Sequence, residues 1–199
     1  MSWNGFLSTN KGMNRDLQSE NIDKKRILQI FSNMDSELCG LQRRLKIYCL
    51  GGTKMTLCDL RDFSRDLDFI VSREDWRVLS GITDAIEQKE RIRLDVFPDG
   101  QLPGYNYENY AQNARRMPYF FNQIEIYVID EADFILTKML AGRSRDQEDI
   151  TAVLEQTPVS RELVLERYGG VKIAAGKEAL LRTRFHYFLD AFMPEDKSR

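Results

Sequence analysis

Histidine occurs once and cysteine three times in this chain of 199 residues, and each scarcity excludes a class of chemistry. One histidine, His186, cannot build a histidine-rich zinc site, and nothing near it in sequence supplies an activated nucleophile. Cys39, Cys49 and Cys58 are too widely spaced for a CxxC metal knuckle, and an odd number does not point to a disulfide framework. As core or surface thiols they need no further role. No apolar run approaches the roughly 20 residues of a spanning helix, so no membrane contact is expected. The opening stretch, "MSWNGFLSTNKGMNRD", lacks the basic then apolar profile of a secretion signal, which makes the cytoplasm the expected location. An excess of one charge is missing too: the formal net charge is -2, which argues against a general nucleic-acid coat. Internal repeats, low-complexity tracts and Ser/Pro linkers are also absent.

What is present is the composition of an ordinary globular protein, 42% hydrophobic and 30% charged. The apolar spacing of "NIDKKRILQIFSNMDSELCGLQRRL" predicts two short helices broken near Asp35, a candidate N-cap. "LKIYCL" reads as a buried strand ending at Gly51 and Gly52, followed by a helix opened by Thr53. "LDFIV" is a second strand, "EDWRVLSGITDAIEQK" a covering helix, "RIRLDVF" an alternating strand and "QIEIYVI" another, with a short helix between them around Glu108 to Arg115. From Asp130 onward the pattern is helical. The expectation is therefore an α/β (α+β) fold, a mixed sheet flanked by helices, over residues 1–130, with a C-terminal helical region over 131–199 packed on it as one unit.

Strand alternation puts Asp66 and Asp68 on one face, and Asp95, from "RIRLDVF", reaches that face if the two strands are neighbours. Adjacent carboxylates repel and are costly to keep ionised without cations. Three convergent oxygen donors suit Mg²⁺. A solvated strand face with turn-forming aspartates is the plainer alternative. The glycine pair bears on that choice, because a strand that runs through Gly-Gly into a helix presents unblocked backbone N–H groups of the kind that bind phosphate, and the Thr53 hydroxyl adds a donor.

Taken together, "GGT", "FSRDLDF", "LDVF" and "TKMLAGRSRDQEDI" resemble the nucleotidyltransferases of the DNA polymerase β superfamily, and within it the AbiEii-like proteins of toxin–antitoxin and defence systems. The resemblance implies the polymerase β-like fold. It implies that Gly51, Gly52 and Thr53 contact the phosphates of an NTP (ATP, CTP or another), with Ser64 and Arg65 beside them in the nucleotide site. It implies that Asp66 and Asp68 ligate Mg²⁺ (or Mn²⁺), and it points to Asp95 as the third acidic residue. Its helical motif falls on Lys138, Arg145 and Asp149, with Lys138 catalytic and Asp149 at the nucleotide. From the residues themselves, Lys138 shares a helix face with Phe134 and Ile135, where an ammonium either snorkels to water or reaches the triphosphate. Arg145 and Asp149 at i,i+4 are equally a surface pair. One position departs from the pattern: Asp62 stands where the family has arginine, and either Arg61 substitutes or a phosphate contact is lost.

The implied activity is metal-dependent transfer of NMP from an NTP to a hydroxyl acceptor, tRNA or other RNA or protein, with an antitoxin as partner. "LQRRLK", "NARR" and "LLRTR" are the basic segments an RNA acceptor would use, and each is equally a solvated face. A small-molecule (antibiotic) nucleotidyltransferase and a non-catalytic partner-binding module of the same fold are the alternatives.

Overall fold

A computed structural model describes residues 21–195; the stretch inspected for a secretion signal lies outside them. The chain opens with β1 (Ile22–Asp23) and α1 (Lys24–Glu37), then β2 (Leu45–Cys49), α2 (Gly51–Leu57), β3 (Phe63–Ser64) and β4 (Leu67–Val71). After α3 (Arg73–Leu79) and α4 (Thr83–Glu90) come β5 (Leu94–Pro98), β6 (Gln101–Leu102) and β7 (Tyr105–Asn106). A 3-10 turn over Glu108–Ala111 leads to β8 (Arg115–Arg116), β9 (Ile124–Val128), α5 (Glu131–Ala141), α6 (Ser144–Gln156), α7 (Arg161–Gly169), β10 (Lys172–Ile173) and α8 (Glu178–Phe192).

The main sheet runs β5-β4-β2-β9-β8 and is mixed: β4 with β5 and β2 with β9 are parallel, while β2 with β4 and β8 with β9 are antiparallel. Alternation sorts its side chains between two cores. Leu45, Ile47, Cys49, Leu67, Phe69 and Val71 face α1, α3 and α4, where Ile27, Ile30, Phe31, Leu79 and Ile86 meet them. Tyr48, Ile70 and Phe97 face the other way, onto α5 to α8 through Phe134, Ile135, Met139, Val164 and Phe185. The sheet is thus the middle layer, and Asp68 and Asp95, in phase with Ile70 and Phe97, look toward the helical side.

Several local expectations are corrected. α1 is one helix, started by Asp23, which accepts from the Arg26 N–H at 2.7 Å. Asp35 lies inside it and caps something else: its carboxylate accepts the backbone N–H groups of Asn122, Gln123 and Ile124 at 2.6 to 3.1 Å, anchoring the entry to β9. α2 starts at Gly51, not Thr53. The covering helix is two, α3 and α4, separated at the "SGI" segment. Arg115, expected at a helix end, forms the edge strand β8 with Arg116. Among its described residues the C-terminal region holds one strand, β10, which pairs with β7 in a small sheet with β6. Two-residue strands are too short to show any period. Among the described residues no helix is long and apolar enough to cross a membrane.

Candidate active site

The site is built on β4 and its neighbour. In the parallel register of β4 and β5, Asp68 is paired directly with Asp95. Asp66 lies two residues earlier on the same face, and one carboxylate oxygen from each of the three lies within 4.8 Å of the others. Neighbours at this range cannot all stay ionised without cost. Burial first, and then the charges of Asp66 and Asp95, push Asp68 up to about 7, against the opposing pull of Lys138 and the Gly52 backbone N–H. Burial also raises Asp95, opposed by Arg93, whose guanidinium holds one of its oxygens at 2.8 Å. Three half-buried carboxylates whose oxygens converge in this way are a donor set that suits hard divalent ions.

The glycine turn serves this group sterically. Gly51 has φ +55, and a Cβ there would lie 2.9 Å from the Asp68 Cγ and closer still to its Oδ2. A Cβ on Gly52 would lie 3.3 Å from the Ser64 Cβ and closer to its hydroxyl. The two glycines therefore let α2 press against β3 and β4. Thr53 is fully buried; its hydroxyl accepts from the Asp68 N–H at 2.8 Å and donates to the Asp66 carbonyl at 3.3 Å. Its hydroxyl points to the backbone on either side of Leu67, and the side chain fixes the acidic strand instead of facing the cleft. Ser64 donates to the same Asp66 carbonyl at 2.8 Å.

A cleft of about 360 Å³ opens over these residues. Gly52, Ser64, Arg65, Asp66 and Asp68 reach it from the α/β side, and Lys138, Arg143 and Arg145 from the helical side. Gly51, Thr53, Asp95 and Asp149 are not on its lining. Lys138, at the C-terminal end of α5, is buried and snorkels only as far as two carboxylates of α6: Asp149 at 2.5 Å and Asp146 at 3.2 Å. Asp149 also pairs with Arg61, so the arginine beside Asp62 does reach the site. Arg145 is exposed on the cleft rim, and Asp149 is committed to Lys138 and Arg61, not to a pair with Arg145.

A profile described as a nucleotidyltransferase of unknown function (DUF6036) matches residues 25–182. The chain belongs to the DUF6036 nucleotidyltransferase family. No curated protein matches it. Among solved structures, the crystal structure of an antigenic nucleotidyltransferase-like protein from Paracoccidioides brasiliensis aligns with a TM-score of 0.46 at 12% identity, over 87% of this chain and 96% of that one. In this DUF6036 member Asp68 and Asp95 come from the adjacent parallel strands β4 and β5, Asp66 from the residue just before β4, and the cations from α5, the start of α6 and the segment before β3.

Two site residues escaped sequence reasoning, Arg143 and Asp146. Arg143 lines the cleft and binds Asp146 through its backbone N–H, Nε and Nη2 at 2.9 to 3.2 Å. Asp146 is fully buried; burial alone would raise it, and the hydrogen bonds of Arg143 with the charge of Lys138 hold it below the usual carboxylate range. A signal for Asp146 was present, since it precedes Asp149 by three residues and shares its helix face. Of the basic segments considered for RNA, Arg43 pairs with Asp75 and Glu74, and Arg44 and Arg116 pair with Glu125.

Proposed function

We propose that this chain transfers a nucleoside monophosphate from an NTP to a hydroxyl acceptor and releases pyrophosphate, with Mg²⁺ or Mn²⁺ held by Asp66, Asp68 and Asp95. The observation that carries the reading is the direct register pairing of Asp68 with Asp95, with Asp66 beside them, next to a cleft that Asp66 and Asp68 line together with Arg61, Lys138, Arg143 and Arg145. Bound divalent ions would neutralise the triphosphate and lower the pKa of the acceptor hydroxyl. Asp66 and Asp68 present their carboxylates to the donor side. Asp95, with one oxygen held by Arg93, keeps its other oxygen for an ion on the acceptor side or for the acceptor's proton. Lys138 contributes positive charge beside Asp68 and is held there by Asp146 and Asp149. Ser64 and Arg65, with the Gly52 backbone, line the nucleotide end of the cleft.

The acceptor in this reading is an RNA or protein hydroxyl. The toxin–antitoxin setting rests on the sequence motifs of the AbiEii-like group alone. Incubation with each α-labelled NTP and a cell extract tests the activity and identifies the acceptor by whether label enters RNA, protein or small molecules. Asp66→Asn and Asp68→Asn should each abolish labelling and keep the wild-type circular dichroism. Titration with Mn²⁺ should raise the melting temperature of the wild type and leave that of Asp68→Asn unmoved. Labelling that survives both substitutions would refute the assignment.

A further inference from the structure

Two of the basic segments considered for RNA, "LQRRLK" and "NARR", meet on one surface of the fold. Lys46 and Tyr48 of β2 are the register partners of Glu125 and Tyr127 of β9, and Tyr127 is in turn the partner of Arg116 in β8. Residues paired across a ladder share a face, so these side chains project together, opposite the wholly buried Leu45, Ile47, Ile124 and Ile126. Arg44 is in phase with Lys46 and joins them. None of these residues lines the cleft over the acidic triad.

The face combines aromatic rings with positive charge. Tyr48 and Tyr127 stack with their ring centroids 5.0 Å apart, and among the described residues Tyr127 packs against neither hydrophobic core. Glu125 organises the surroundings: it accepts from the Tyr127 hydroxyl at 3.2 Å and pairs with Arg116 at 3.0 Å and Arg44 at 3.7 Å. Arg44 also donates from Nε to the Asn122 carbonyl at 3.1 Å, which ties the loop between β8 and β9 to the patch. That loop carries Phe120, 91% exposed. With Lys46 exposed beside them, the cations outnumber the carboxylate, although the whole chain has a formal net charge of -2. The centre of a protein interface is depleted of charged residues. Rings interleaved with cations suit a single-stranded polynucleotide, whose bases stack on the rings while its phosphates meet the cations. We infer that this sheet face binds single-stranded RNA, with Tyr127 and Phe120 stacking bases and Arg44, Lys46 and Arg116 contacting phosphates. The nucleotidyltransferase reading is what makes that RNA the acceptor, held here at a distance from the hydroxyl that reacts at the triad.

Fluorescence anisotropy of the full chain with a labelled single-stranded RNA of about 12 nucleotides, without NTP or divalent ions, measures the surface independently of transfer. Three phosphate contacts predict a slope of log K against log salt of about -2, which is an affinity loss of about 20-fold between about 50 and about 200 mM salt. Lys46→Gln should make that slope shallower by about 0.7. Phe120→Ala and Tyr127→Leu should each weaken binding about fivefold or more, and Tyr127→Phe, which keeps the ring, should stay within about twofold of the wild type. Phe120 and Lys46 are exposed, so misfolding does not account for the loss in their variants. An RNA duplex should bind more weakly, because its base faces are stacked away. Binding that behaves in this way without any transfer of labelled NMP would leave the surface standing and refute the transferase reading. Transfer to RNA with affinity unchanged in Lys46→Gln, Phe120→Ala and Tyr127→Leu would do the reverse. Tighter binding of DNA than of RNA of the same sequence would overturn the assignment to RNA, and no RNA binding to the wild type at about 50 mM salt would overturn it in favour of a protein partner at Phe120.

Discussion

Gly51→Ala is the most exposing perturbation, because two separate penalties meet at one atom. The first is conformational: Gly51 sits at φ +55, and an L-residue in that region costs about 1–2 kcal/mol. The second is steric. The added methyl would lie 2.9 Å from the Asp68 Cγ and 3.2 Å from its Cβ, with the nearer carboxylate oxygen closer still. Overpacking of this kind typically costs about 1–3 kcal/mol. The sum, about 2–5 kcal/mol, is a large part of an ordinary domain stability of about 5–15 kcal/mol. Urea denaturation at fixed pH without divalent ions measures it. The two penalties separate in the Asp68→Ala background, where Cγ and the carboxylate oxygens are gone and the φ penalty remains. There Gly51→Ala should cost only about 1–2 kcal/mol, giving a coupling of about 1–3 kcal/mol between positions 51 and 68. Mn²⁺ binding should fall in Gly51→Ala alone, since the methyl displaces the Asp68 carboxylate. Equal costs in the two backgrounds, within about 0.5 kcal/mol, would show that the glycine is not there to make room for the aspartate.

Asp35→Ala should destabilise by about 3–5 kcal/mol, because a buried carboxylate that accepts three N–H groups leaves them unpaired when removed. A helix cap at that position would be worth only about 1 kcal/mol, so urea denaturation distinguishes the two roles. Asp133 gives a pH signature. Burial first, with Asp130 adding to it and Arg167 and the Tyr107 hydroxyl opposing it, pushes this carboxyl up to about 7. A raised folded-state pKa means the stabilisation is fully present below the unfolded value of about 3.9 and is lost as pH rises through about 7. Melting temperature should therefore fall over that window by the equivalent of a few kcal/mol, and Asp133→Asn should flatten the fall. Lys54, fully buried beside Phe134 and 3.3 Å from Glu131, has its pKa lowered by burial. Lys54→Met should change stability by no more than about 1 kcal/mol, and a loss several times larger by thermal denaturation would show that its ion pair matters more than its volume.

The parts of the site legible in sequence are those set by short-range periodicity. Asp66, Asp68 and Asp95 could be placed on one face because successive strand side chains alternate, and Gly51 and Gly52 could be singled out at the strand's end. Their particular job was not legible: the glycines accommodate Asp68 and Ser64, and Thr53 braces the backbone around Leu67. Both facts depend on how closely α2 approaches β3 and β4, which no spacing along the chain reports. The break expected at Asp35 failed for a related reason. A residue type that caps helices equally satisfies any cluster of free N–H groups, and here the cluster lies 87 to 89 positions away.

By itself, then, the sequence determined the sheet's hydrophobic alternation, the direction in which the acidic residues point and the helical character of the chain beyond residue 130. Tertiary structure alone decided that Asp68 and Asp95 are register partners, and that Arg61 reaches Asp149 across 88 positions to join Lys138, Asp146 and Arg143. The physical reason is one of range. Backbone geometry repeats every two or 3.6 residues and is written locally, whereas an ion pair forms wherever packing brings opposite charges to about 3 Å, and only the two cores on either side of the sheet specify that meeting.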